Sequence, residues 1–435
     1  MRKSCILLLS IIALFWPSAV DVRAQGQEGY NRTIEEVALD ISAIRGLEFK
    51  TPVQHDTKSR EELHKYLKKL IKEEISQEKM LADQKALAKF GLIPADMQLE
   101  DFLLELYTEQ VEGFYDWHNK TLYLVDGVSE TLLKPIISHE LTHALQDQFV
   151  GIGNLPILME NENDDQIMAT QALLEGDAVS TMIDYVLKPT GQDSTMLPDI
   201  GSLIEKSTNA TMGGRLMTTA PAYIRSNILF PYTHGPSFIQ RLREAGGWDR
   251  VDMALERPPS STEQIMHPEK YVKPEEADLP TTITLSPMPD EFGRGWTFLG
   301  DNTLGEFSIS VLLKEFLEDP AEEVFAGWDG DLYQVYEHEP TGKTALVWLT
   351  TWDSNKDARE FFNGYAALLA RKYGSEMAYA RNDALVFLTR KGASQEVFAY
   401  IELRDEDVLI LDGVPDESMD AVRESAWKTA QVARQ

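Results

Sequence analysis

Residues 139–143 read His-Glu-Leu-Thr-His. In a helix, positions four apart share a face and stand about 6 Å apart along the axis. The imidazoles of His139 and His143 can then converge on one ion. Zinc suits neutral imidazole nitrogens, at about 2.0–2.1 Å. Glu140, beside the first histidine, is placed to take a proton from water activated at that metal. With 8 histidines in the whole chain, chance supplies at most about 0.02 such patterns. The competing reading is a surface helix carrying two unrelated histidines. The neighbours Ile136, Ile137, Leu141, Ala144 and Leu145 argue against it, because they give this helix a core face. Pro135 fits its first turn.

A zinc site that does chemistry needs three protein ligands and one position for water. The third ligand is expected at Glu175, within Ala172-Leu173-Leu174-Glu175-Gly176-Asp177-Ala178. A carboxylate among apolar and small residues in mid-helix is unfavourable unless paired, and ligation would offset that cost. The alternative is a solvent-facing or Arg-paired glutamate. Glu160, Glu162, Asp164 and Asp165, in a polar stretch, are weaker candidates for the ligand. The single cysteine, Cys5, excludes Cys-ligated zinc and Fe–S clusters within one chain. Six positions beyond His143 stands Phe149, so no third histidine follows closely as a ligand.

The segments from His139 to Ala144, with Asp147, and from Ala172 to Ala178 resemble the gluzincin, or thermolysin-like, clan of zinc metallopeptidases. They are similar to uncharacterised bacterial predicted metallopeptidases with HExxH and ALxEGDA motifs. The resemblance covers roughly residues 110–190, is weaker over 220–272 and does not reach the C-terminal part. It implies a Zn2+ cofactor, a peptide or protein substrate, ligands His139, His143 and Glu175, and Glu140 as general base. It also implies an edge strand that aligns an extended peptide, here residues 121–125. A Tyr or His from a later helix would supply an oxyanion donor. Phe230-Pro231-Tyr232-Thr233-His234-Gly235 offers Tyr232 and His234 for that role, with Tyr232 preferred. His267 is a third possibility and reads better as structural. One departure stands out. Thermolysin-like enzymes carry an Asp four residues after the Glu ligand, and here that position is Val179. Asp177 falls nearly on the opposite helix face, leaving open which carboxylate orients His139. Asp147 either orients His143 or caps the helix. The alternative function is a zinc-bound or degenerate peptidase scaffold that binds an envelope partner without turnover.

The positioning elements read as α+β: a mostly helical, zincin-type metallopeptidase domain with a small edge-strand sheet, then a small C-terminal α+β domain. Residues 26–45 suggest a helical lead-in and 48–53 a strand. Thr57 or Ser59 can cap a helical run over 60–90, and 99–111 reads as another helix. Gly113 to Asp116 and Thr121 to Val125 form a hairpin. The two motif helices follow, the second over 166–187. Residues 190–218 read as loop and 221–245 as a helix interrupted at Pro231. Proline-rich 279–295 reads as a linker. Strands at 331–337 and 344–350, a helix at 356–372, and strands at 384–390 and 396–402 give a ββαββ order. Trp328, Trp348 and Trp352 are expected in that core. The implied division is 1–24 signal peptide, 25–278 metallopeptidase domain, 279–324 linker and helix, and 325–435 C-terminal domain.

Met1-Arg2-Lys3, the apolar run at 5–16 and Val22-Arg23-Ala24 have the layout of a cleaved export signal. The expected location is therefore secreted or periplasmic, with an uncleaved membrane anchor as the alternative. Cys5 lies within that leader, so the rest of the chain has no disulfides. Lys+Arg number 41 against 71 Asp+Glu, a net charge of -30, which disfavours nucleic-acid and anionic membrane partners. Substrate identity and oligomeric state are not encoded in these patterns.

Overall fold

The computed structural model describes residues 27–156, 163–211, 214–273, 277–318, 320–374, 377–381, 384–391 and 394–434. The expected leader, residues 1–24, and the acids Glu160 and Glu162 lie outside them.

Helix α1 (Gln27–Arg45) sets Ile34, Val37 and Ile41 on one face and buries them against Ile137, Leu141 and Leu145. The strand expected at 48–53 lies six residues further on, as β1 (Gln54–Lys58). Its sequence is polar, and backbone pairing to a neighbouring strand, not side-chain alternation, defines it. Ser59 caps α2 (Arg60–Glu74) in a reciprocal capping box with Glu62. A second serine cap, Ser76, starts α3 (Gln77–Phe90), so the single helical run expected over 60–90 is two helices. After α4 (Leu99–Gln110), β2 (Gly113–Asp116) and β3 (Thr121–Val125) form the expected hairpin. The three strands lie in the order β1-β3-β2, with β1 parallel to β3. Residues 121–125 therefore form the central strand. Both of its edges are occupied, so it is not the edge strand that the resemblance implied.

Helices α5 (Glu130–Val150) and α6 (Asp164–Leu187) carry the two motifs. The stretch 190–218, expected as loop, contains α7 (Ile200–Thr211) and α8 (Arg215–Thr219). Its Ser/Thr-rich composition obscures a helical spacing in which Ile200 and Ile204 are buried. Helix α9 (Ala222–Glu256) runs through Pro231 without stopping and breaks instead at Gly246–Gly247, where Gly247 takes φ 69°. Short helices α10 (Thr262–Met266) and α11 (Glu269–Val272) follow.

The stretch read as linker and helix is structured. It holds β4 (Thr282–Thr284), α12 (Pro289–Phe292), β5 (Trp296–Asn302) and α13 (Gly305–Phe316). Beyond it come β6 (Trp328–His338), β7 (Lys343–Trp352), α14 (Asn355–Tyr373), β8 (Met377–Arg381), β9 (Ala384–Lys391), β10 (Ser394–Arg404), β11 (Asp407–Asp412), α15 (Met419–Thr429) and β12 (Gln431–Ala433). Strands β5 to β11 make one antiparallel seven-stranded sheet in the order β5-β6-β7-β11-β10-β9-β8. Its expected ββαββ segment thus gains three strands: β5 before it, β8 between α14 and β9, and β11 after it.

Alternation along β7 explains the two faces of this sheet. Leu346, Trp348 and Trp352 pack with Trp328, Phe361, Tyr365 and α3 residues Ala82, Ala86 and Phe90. Ala345, Val347 and Leu349 pack with Val422 and Ala426 of α15. Because α3 shares the first of these cores, the helical part and the sheet are packed together directly. The fold is α+β. Among the described residues no helix is long and apolar enough to cross a membrane.

Candidate metal centre

Helix α5 is buried continuously from Ile136 to Asp147. Its position under the small sheet depends on Gly113 of β2. A Cβ there would stand 2.7 Å from Ile136 Cγ2 and 3.6 Å from Glu140 Cγ, so glycine lets β2 lie directly over Glu140. Pro135, expected in the first turn, is the sixth residue of the helix.

The second contact that builds the site is the crossing of α6 and α9. A Cβ on Gly176 would stand 2.4 Å from the Gly235 carbonyl carbon, and one on Gly235 would stand 2.2 Å from the Ala172 carbonyl oxygen. Two glycines therefore let the helix backbones touch on either side of Glu175.

With these elements in place, His139, His143 and Glu175 come together in the interior. His139 Nε2 lies 3.0 Å from Glu175 Oε2 and 3.1 Å from His143 Nε2, and His143 Nε2 lies 3.5 Å from Glu175 Oε2. Ligands at about 2.0–2.1 Å around a tetrahedral ion are separated by roughly 3.3 Å. The three observed separations bracket that value, so the donor set fits zinc. His139 Nδ1 and Glu175 Oε1 are buried and have no hydrogen-bond partner among the described residues. Burial opposes charge on every member of the group. At Glu175 the neighbouring histidines outweigh burial and lower the carboxyl to about 2. At His143 the Glu175 charge likewise outweighs burial and raises the imidazole to about 9, while burial holds His139 down. The centre thus keeps an ionised carboxylate in the interior and favours a cation beside it.

A side chain that the sequence reading did not single out supports the second histidine. Gln146 Oε1 is 2.9 Å from His143 Nδ1, and Gln146 Nε2 donates to Leu174 O and to Asp177 Oδ2, each at 3.0 Å. Its spacing, three residues after His143 on the same helix face, was the available signal. Asp177 in turn meets Arg45 of α1, Nε to Oδ1 at 2.8 Å, and Arg45 continues to Asp252 at 2.7 Å. Asp147 serves neither histidine. It accepts from Tyr115 Oη at 2.8 Å, from Lys120 Nζ at 2.7 Å and from the Ile152 N–H at 3.1 Å, tying the hairpin to the end of α5.

Tyr232 is buried on α9 and lines a recess of about 180 Å³ with Leu99, Leu103, Tyr107, Asn227 and Gln171. Gln171 stands one turn before Glu175. His234 is elsewhere on α9, stacked on Phe230 at 4.6 Å, 5.9 Å from the Phe307 ring, with Nδ1 3.0 Å from Thr233 Oγ1. Burial, then Lys314, lowers it to about 4. His267 bonds Glu306 at 2.9 Å. Asp164 pairs with Lys79 at 3.2 Å and Asp165 receives the Thr262 N–H at 3.2 Å, so neither acid joins the centre. A second acidic group, Glu263, Asp278 and Asp353, surrounds the Lys270 ammonium at 2.6, 2.7 and 3.0 Å, and that ammonium takes the place of an ion.

Residues 297–423 match a family model described as a domain of unknown function (DUF8575). No curated protein matches. Among solved structures, the chain is similar to a crystal structure from Chloroflexus aurantiacus described as "a putative hydrolase with a novel fold". The two are 20% identical, the match covers 58% of this chain and 91% of that one, and the TM-score is 0.33. A likeness of that size does not establish a common fold.

Proposed function

We propose that the chain is an exported zinc-dependent endopeptidase. The observation that supports this reading is the convergence of His139, His143 and Glu175 at zinc-ligand spacing, with Glu140 next to the first ligand and β2 above it. Those three residues would hold the ion. Zinc, when bound, supplies Lewis acidity that polarises a carbonyl oxygen and acidifies water. Glu140 takes the proton released as water attacks the peptide carbon and delivers it to the departing amide nitrogen. The water oxygen ends in the new carboxyl group. Tyr232, which packs in one cluster with Val179 of α6, is favoured over His234 as the donor to the developing oxyanion, because the His234 ring is packed against Phe230 and Phe307. Glu140 lies under β2, so an extended substrate would pair with the outer edge of that strand, not with β3. The recess beside Gln171 would take an apolar side chain.

A second reading, a scaffold that binds without turnover, is favoured by the absence of a hydrogen-bond partner for His139 Nδ1 among the described residues. One comparison separates the two. Glu140→Gln should keep stoichiometric zinc and lose peptide cleavage by several orders of magnitude. A wild-type protein with one zinc per chain that cleaves nothing in a broad peptide library would sink the peptidase reading.

A further inference from the structure

The motif helix contains an amide whose orientation is fully determined. Both hydrogens of Gln146 Nε2 have acceptors, Leu174 O and the Asp177 carboxylate, each at 3.0 Å. Neither acceptor can donate. The amide therefore cannot be turned around, and Oε1 must face His143. At 2.9 Å from that oxygen, His143 Nδ1 has to be the donor. That leaves the Nε2 lone pair of a neutral His143 for the space shared with His139 and Glu175.

What fixes Gln146 is fixed in its turn. Asp177 is fully buried, and its Oδ1 is 2.8 Å from Arg45 Nε. Arg45 is also buried, lies 4.2 Å over the Trp248 ring, and its Nη2 is 2.7 Å from Asp252 Oδ1. Trp248 follows the Gly246–Gly247 break in α9, which turns it toward Arg45. Four elements distant in sequence thus converge on one imidazole.

We propose that Arg45, Asp177 and Gln146 form a positioning relay that sets the proton of His143 on Nδ1 and makes this histidine the anchor ligand of the centre. The relay takes the place of the carboxylate that thermolysin-like enzymes carry at the position of Val179, and it acts on the second histidine, not the first. It rests on the reading of the centre as a metal site. Its own prediction, a proton on His143 Nδ1, holds with or without metal.

The test has two arms on the full chain. In the first, protein with 15N-labelled histidine is examined by NMR, zinc-free and zinc-loaded. His143 should show a slowly exchanging proton on Nδ1 and none on Nε2, both when zinc-loaded and when zinc-free above about pH 9, where the imidazole is neutral. In the second, Gln146→Met, which keeps the volume and removes the acceptor, is titrated with zinc against a competing chelator. Its dissociation constant should rise about 10–100-fold, the range for loss of an outer-shell partner. The Nδ1 proton should also lose its protection, which a merely space-filling role would not change. A wild-type His143 with Nδ1 deprotonated overturns the relay with no variant needed. So does a Gln146→Met protein with wild-type zinc affinity and a protected proton. Wild type that binds no zinc defeats the metal reading instead, and the zinc-free spectrum still judges the relay.

Discussion

Gly235→Ala sets two effects against each other. In an open helix interior the substitution is favourable, because alanine is better than glycine by about 0.8–1.0 kcal/mol. Here the new methyl would stand 2.2 Å from the Ala172 carbonyl oxygen and 3.1 Å from the Gly176 Cα. Ordinary carbon contacts are about 3.5–4.0 Å, so the first is more than about 1 Å too close. The groups it meets are backbone of α6, which cannot rotate away. Overpacking of this kind costs about 1–3 kcal/mol, and a backbone neighbour places it at the upper end. The net expectation is a loss of about 1–2 kcal/mol, read as a lower urea midpoint at an unchanged slope. The relief available is separation of α6 from α9. Ala172 and Gly176 flank Glu175, so the carboxylate would shift against His139 and His143, and zinc affinity should drop along with stability. Gly176→Ala meets the same contact from the other side. Once the helices have parted, the second methyl adds less than the first, so the double variant should be less destabilised than the sum. A Gly235→Ala protein with an unchanged or higher midpoint and full zinc affinity would refute this account of the crossing.

Arg45→Met leaves Asp177 and Asp252 without their shared cation, and losing one partner of a buried pair costs about 3–5 kcal/mol; a melting temperature within error of wild type would contradict it. Burial, together with Asp331 and Glu306, raises the Asp165 carboxyl to about 8 despite its bonds from Thr262. The folded state keeps this proton where the unfolded chain, with an aspartate near about 3.9, has released it. The contribution is therefore present below about pH 4 and lost as pH rises through about 8, so Asp165→Asn should gain on wild type in melts run from pH 5 to pH 8.5. Parallel curves for the two proteins would refute the shift. With a net charge of -30, basic peptides should associate faster than acidic ones of the same length, and rising salt should erase the difference; a preference that survives 0.5 M salt would mean that local contacts, not the overall field, set it.

The parts of this molecule that are legible in its sequence are those decided by neighbours in the chain. Ser59 and Glu62 announce a helix start, 113–125 announces a hairpin, and the spacing of His139 and His143 announces a shared face. What escapes is decided between segments. Residues 121–125 read as an edge until β1, a polar strand with no alternation, occupies one side of them. Pro231 reads as a break, yet α9 holds through it because its neighbours pack that turn on both sides, and the chain bends at a glycine pair instead. Asp177 reads as misplaced because its helix angle is judged against a partner on its own motif. Its partners are Gln146 on α5 and an arginine 132 positions earlier. The same logic applies to the glycines. Nothing local marks Gly176 and Gly235 as a pair, and only the helix crossing shows why neither tolerates a side chain. A ligand set can therefore be read from one helix and a motif, whereas the groups that orient it belong to the tertiary fold. In this chain they reach back to the last residue of α1, outside the region where any motif resemblance is found.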